Sequence, residues 1–117
     1  MPRANEENLQ QLASEYHLQS FVPTSTEPIN PDIIGLLDDL SALTFRAVTI
    51  NMNREEKQVK VAIEDPADER AKREVSRLIA KKFPGEKWEV NFYLTSHLIL
   101  ESFLANYYPG EEVPLKT

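Results

Sequence analysis

The stretch VKVAIEDPADERAKREVSRLIAKKF, Val59 to Phe83, decides how the rest of the chain is read. Val59, Val61 and Ile63 alternate with Lys60 and Ala62, the period of a strand with one buried face. Asp65-Pro66 then breaks the pattern. An aspartate carboxylate can accept the free amide hydrogens of a first helical turn, and proline is tolerated at the first helical position because no intrahelical donor is lost there. Asp65 is therefore the expected N-cap. Asp68 and Glu69 add negative charge where the helix dipole favours it. Ala71, Val75, Leu78, Ile79 and Phe83 follow at helical spacing, and Pro84-Gly85 ends the helix. A strand, a corner and an amphipathic helix result.

Working outward, residues 1–8 are polar and are expected to be disordered. Asn8 to Tyr16 can form a short helix with Leu9, Leu12, Ala13 and Tyr16 on one face. Phe21-Val22 is a short apolar element, and Pro23 to Pro28 is a loop by composition. Asn30 and Pro31 open a second helix with Ile33, Ile34, Leu37 and Leu40 on one face, weakened in the middle by Gly35. Ser41 to Thr44 is a connection. Phe45 to Met52 reads as a strand, with Val48, Ile50 and Met52 on one side and Phe45, Ala47 and Thr49 on the other. Asn53 to Lys57 turns it into the Val59 strand, a hairpin. In Lys87 to Leu94, Trp88, Val90, Phe92 and Leu94 alternate with Lys87, Glu89, Asn91 and Tyr93. Thr95 or Ser96 caps a last helix whose inner face is Ile99, Leu100, Phe103, Leu104 and Tyr107. Pro109-Gly110 ends it, and residues 110–117 are a tail or linker.

The element order α-α-β-β-α-β-α makes the first two strands antiparallel and the last two parallel, joined by a right-handed crossover. The expected fold class is α+β: a small mixed three-stranded sheet packed with helices, preceded by two short helices, in one domain over residues 9–109. At 117 residues the chain suits one domain with a modest core. It has no cysteine, which excludes disulfides, thiolate metal sites and a cysteine nucleophile. MPRANEENLQQL has no apolar core of a signal peptide, and no apolar run approaches the ~20 residues of a membrane span. The formal net charge of −6 argues against nucleic acid or an anionic membrane as the main partner.

The corner VAIEDPAD, Val61 to Asp68, resembles the "VA-x-x-DP-x-D" strand-to-helix corner in the N-terminal domains of type II secretion and type IV pilus assembly ATPases. Other segments follow in the same order. Leu12, Ala13, His17, Leu18 and Phe21 are similar to that family's "LA-x-x-x-GL" helix and the short strand after it. Ile29, Pro31 and Ile34 are similar to the corner that opens its next helix. FRAVTINM takes the place of its "x-x-V-x-P-I" strand, with Thr49 where proline is common. LILESFLANYY resembles its closing "ILEAI-x-x-x-Y" helix. The resemblance runs from Leu9 to Pro109 and implies a module that docks a motor onto a cytoplasmic part of an inner-membrane platform protein. Two departures limit it. There is no "RLG-x-x-L" segment and the chain begins too late to hold one, so cyclic di-GMP binding by that motif is not expected. The only glycines are Gly35, Gly85 and Gly110, none followed by Lys-Ser or Lys-Thr. The phosphate-cradling loop of an ATPase is absent, so this chain is not the motor.

The chemistry-bearing residues point the same way. His17 and His97 have no histidine at helical spacing, so no metal site is expected, and His97 reads as a surface or half-buried residue. Glu64, Asp65, Asp68 and Glu69 form an acidic knot; capping and dipole compensation explain each except Glu64. Arg70, Lys72, Arg73, Arg77, Lys81 and Lys82 form a basic face that reads functionally as a site for nucleic acid or a phosphodiester ligand, and an acidic protein partner is compatible with it. Its bland reading is Glu69–Arg73 and Arg70–Glu74 pairing plus charge at the helix C-terminus. Tyr93 alternates away from Trp88 and Phe92, onto an open sheet face with Asn91 and Glu89. No nucleophile motif is present. The expectation is a non-catalytic, cytoplasmic protein-interaction module, peripheral to the inner membrane through its protein partner. No cofactor, metal or nucleic acid is expected, and a small-molecule ligand is not the expected partner. Arg70, Arg73, Arg77, Glu89, Asn91 and Tyr93 are the expected partner-binding residues. The alternative is a cyclic-dinucleotide-sensing domain in which Arg70, Arg73 and Arg77 meet phosphates.

Overall fold

A computed structural model of the chain describes residues 7–23 and 29–107. The elements are α1 (Leu9–Glu15), β1 (Gln19–Ser20), α2 (Pro31–Ile34), α3 (Asp39–Phe45), β2 (Ala47–Asn53), β3 (Gln58–Ile63), α4 (Glu69–Ala80), β4 (Glu89–Leu94) and α5 (His97–Tyr107). The sheet has four strands in the order β1-β4-β3-β2, not the three expected. β2 and β3 are antiparallel, and β4 runs parallel to both β3 and β1. The hairpin and the parallel crossover through α4 are as the sequence reads, and the α+β class holds. The extra strand is two residues long, too short to show a period. It forms just before the Phe21-Val22 element, and Phe21 N–H extends its ladder to the Leu94 carbonyl at 2.8 Å.

One sheet face carries the main core. Val59, Val61 and Ile63 pack with Val75, Ile79 and Phe83 from α4 and just beyond it, and with Leu36 and Leu37. Trp88, Val90 and Phe92 are half-buried against this cluster, and Trp88 stacks on Phe83 at 3.9 Å between centroids. The opposite face is covered only in part. There α5 sets Leu100 and Leu104 against Val48 and Ala42. On the main-core side, Leu9 and Ala13 of α1 close on Leu94, which pairs with Ile63.

Four local expectations change. The alternation of the first hairpin strand breaks, because the β2–β3 register shifts between Thr49 and Asn51. Ala47 and Thr49 face Ile63 and Val61, but past the bulge it is Met52 that faces Val59. Met52 thus joins the face of Ala47 rather than that of Val48, since an extra residue moves every later side chain across the sheet. The single helix expected from Pro31 to Leu40 is two. Gly35 caps α2, and the Asp38 carboxylate accepts from Ser41 N–H at 2.7 Å, restarting the helix as α3. Ser41 to Thr44 is therefore helical, Phe45 ends α3 instead of opening a strand, and Leu40 is exposed. The N-cap of α4 is Asp68, which accepts from Ala71 N–H at 3.0 Å. Asp65 instead closes a tight turn by accepting from Ala67 N–H at 3.0 Å, with Pro66 buried beneath it. The last helix is capped by Ser96, whose Oγ accepts from Ile99 N–H at 3.2 Å. Glu7 and Asn8 form a turn into α1. The rest of the expected disordered start, the loop over 24–28, the Pro109-Gly110 stop and the 110–117 tail lie outside the described residues.

Candidate docking face and the ion cluster beside it

Residues paired across adjacent strands project to the same face, so register alone assembles a surface. Glu89 pairs with Gln58 and Gln58 with Asn53; Asn91 pairs with Lys60 and Lys60 with Asn51; Tyr93 pairs with Ala62 and Ala62 with Val48. The first two rows are polar across three strands and, among the described residues, carry no helix. The third meets the cover supplied by α5. Gln58 Nε2 donates to Glu89 Oε1 at 3.4 Å, and the Lys60 ammonium lies 5.6 Å from the centroid of the Tyr93 ring. A shallow recess of about 150 Å³ opens beside this strip, between Asn51, Asn53, Glu56 and Lys60. A wider one of about 310 Å³ opens at the β4 edge, where His17 and Gln19 approach Asn91 and Tyr93.

Glu89, Asn91 and Tyr93 thus share an open face, as their alternation implies. Arg70, Arg73 and Arg77 are exposed on α4, which packs on the other side of the sheet through Val75 and Ile79. The two sets of expected partner-binding residues are on opposite sides of the molecule. The expected Glu69–Arg73 and Arg70–Glu74 pairs are replaced by i,i+3 pairs, Lys72–Glu69 at 3.2 Å and Arg77–Glu74 at 2.7 Å.

At the other end of the partly covered face is a group that linear spacing does not show. Glu64 follows β3 and is only 4% exposed. Its carboxylate accepts from Arg46 Nε at 3.0 Å and Arg46 Nη2 at 3.1 Å, and meets His97 Nδ1 at 2.8 Å. Arg46 also pairs with Glu101, and His97 Nε2 lies 3.8 Å from the Glu101 carboxylate. Arg46 is the C-cap of α3 and holds a left-handed backbone, φ 52°. The cluster ties the α3 end, the β3 end and the first turns of α5 together. Burial pushes the Glu64 carboxyl up, but hydrogen bonds from Arg46 and His97 outweigh it and hold Glu64 below the usual carboxylate range. Burial disfavours the Arg46 charge, and the two carboxylates more than restore it. His97 is half-buried, as expected, but engaged. Glu64, the one acidic residue that capping left unexplained, is the buried anchor. Among the described residues no group of three or more histidines and carboxylates could hold a metal ion. No helix of the described residues is long and apolar enough to cross a membrane.

No family model matches the sequence, and no curated protein matches it. Among solved structures, the chain is similar to MshE in a structure of MshE with cdg, with a TM-score of 0.68 and 23% sequence identity. The match covers 86% of this chain and 66% of that chain. What the two share is the fold.

Proposed function

We propose that this chain is a non-catalytic docking module that binds a cytoplasmic part of an inner-membrane platform protein of a secretion or pilus system. The observation that carries the reading is the open strip of Asn51, Asn53, Gln58, Lys60, Glu89, Asn91 and Tyr93, a surface of hydrogen-bonding groups around one aromatic ring rather than a deep pocket. Such a surface suits a protein partner, where an aromatic anchor within a polar rim supplies most of the binding energy. The order of VAIEDPAD and LILESFLANYY along the chain and the fold likeness to MshE support the same reading. The experiment is calorimetric titration with the cytoplasmic part of an inner-membrane platform protein of a secretion or pilus system. Binding is expected, with Tyr93→Ala and Glu89→Lys each weakening it roughly tenfold or more. No binding by the unaltered chain would overturn the proposal.

One observation favours a second reading: a similar solved structure is of MshE with cdg. In that reading the chain senses a cyclic dinucleotide, and Arg70, Arg73 and Arg77 meet its phosphates. Titration with cyclic di-GMP decides it. Saturable binding lost in Arg70→Ala/Arg73→Ala supports the second reading, and no heat and no spectral shift sinks it.

A further inference from the structure

Six of the chain's 13 lysines and arginines fall between residues 70 and 82, where Glu74 is the single acidic residue. The whole chain is nonetheless acidic, at −6. The positive charge is concentrated on one element. Arg70, Arg73, Arg77 and Lys81 are spaced by three, four and four residues, which aligns them along one side of α4 over about 16 Å. All four are exposed. Arg77 is held by Glu74 and Lys72 by Glu69, and Lys82 lies in the field of Asp38 on the α3 side. Among the described residues, Arg70, Arg73 and Lys81 make no ion pair; Arg70 and Arg73 lie in the field of Glu74, whose carboxylate is already held by Arg77, so the stripe keeps an excess of positive charge.

We infer that this stripe is a second docking site, taking an acidic α-helix of a partner protein. Successive charges on α4 are about 5–6 Å apart, the same interval at which a helix presents acids three or four residues apart. Two such helices lying side by side bring every pair into register. The large apolar residues of α4, Val75, Leu78 and Ile79, are buried or half-buried and only the small Ala80 is exposed, so the stripe offers no wedge for a lipid surface. The acidic remainder of the chain would be repelled by anionic headgroups. The site is separate from the Tyr93 face, and its occupancy does not depend on that reading.

The probe is a synthetic helical peptide with glutamates spaced by three, four and four residues. Its control has the same composition with the glutamates distributed around the helix. Fluorescence anisotropy at low salt should show the striped peptide binding more tightly than the control, and weakening as salt rises through about 0.15 M, where the Debye length is about 8 Å. Arg70→Glu/Arg73→Glu should weaken binding roughly tenfold or more, because like charges then face each other. Lys57→Glu/Lys87→Glu changes the net charge equally without touching a residue of the stripe and should leave binding within about twofold. Tyr93→Ala should leave it unchanged. Equal affinity for both peptides, or equal loss in both double variants, would overturn the inference. Binding to phosphatidylglycerol vesicles with none to the striped peptide would overturn it in favour of a membrane.

Discussion

Arg46 permits a test in which two substitutions at one position separate side-chain chemistry from backbone strain. Removing the guanidinium strips the buried Glu64 carboxylate of two hydrogen bonds. Breaking a fully buried ion pair from one side costs about 3–5 kcal/mol, but the Arg46 side chain is 30% exposed and water can reach its partner once it is gone. Arg46→Ala should therefore cost about 2–3 kcal/mol. Arg46→Gly loses the same contacts and relieves the left-handed backbone. That conformation costs an L-residue roughly 1–2 kcal/mol, while glycine's extra freedom in the unfolded chain takes back about 0.4–1. The glycine variant should thus be more stable than the alanine variant by about 0.5–1 kcal/mol. Urea unfolding followed by circular dichroism, with the midpoint shift read at constant slope, measures both. A cost below about 1 kcal/mol for Arg46→Ala would show that the cluster does not anchor α5. A glycine variant no more stable than the alanine one would refute the strain argument.

Other outcomes follow from the same contacts. The native-state pKa of Glu64 is held below its unfolded value, so its stabilisation is fully present above about pH 4.5 and is lost as pH falls through the lower folded value. Acid titration of stability should show this loss, and Glu64→Gln should flatten that limb. Asp68→Ala should cost about 1 kcal/mol as the loss of the α4 N-cap, measured by urea unfolding. Ile79→Ala, which opens a cavity between α4 and Val59 and Val61, should cost about 2–5 kcal/mol in the same assay. Lys60→Met should weaken platform-protein binding while moving the unfolding midpoint little, because Lys60 is half-buried on the open strip with its ammonium near the Tyr93 ring.

The strands and helices legible in the sequence are those whose own residues supply the period. Alternation gives β3 and β4, and the spacing from Ala71 to Phe83 gives α4, because one face of each is buried by partners that do not change its pattern. What escapes depends on residues elsewhere. β1 exists because β4 offers it an edge, and two residues carry no alternation. The bulge after Thr49 belongs to the pairing with β3, and no single strand announces it. Asp65 and Asp68 are equally good caps in isolation; the turn closed by Asp65 pushes the helix start three residues on. The face of Glu89, Asn91 and Tyr93 was readable from parity alone, whereas its continuation onto Gln58, Lys60, Asn51 and Asn53 required the register. The ion cluster joins Arg46, Glu64, His97 and Glu101 across a sheet and a helix. Its only local sign was that Glu64 had no capping role.

The docking claim is tested most directly by amide chemical-shift mapping of the isotopically labelled chain during titration with the cytoplasmic part of the platform protein. The account predicts saturable shifts concentrated at Asn51, Gln58, Lys60, Glu89, Asn91 and Tyr93. It is contradicted if the partner saturates the chain without moving those amides, or moves none at all.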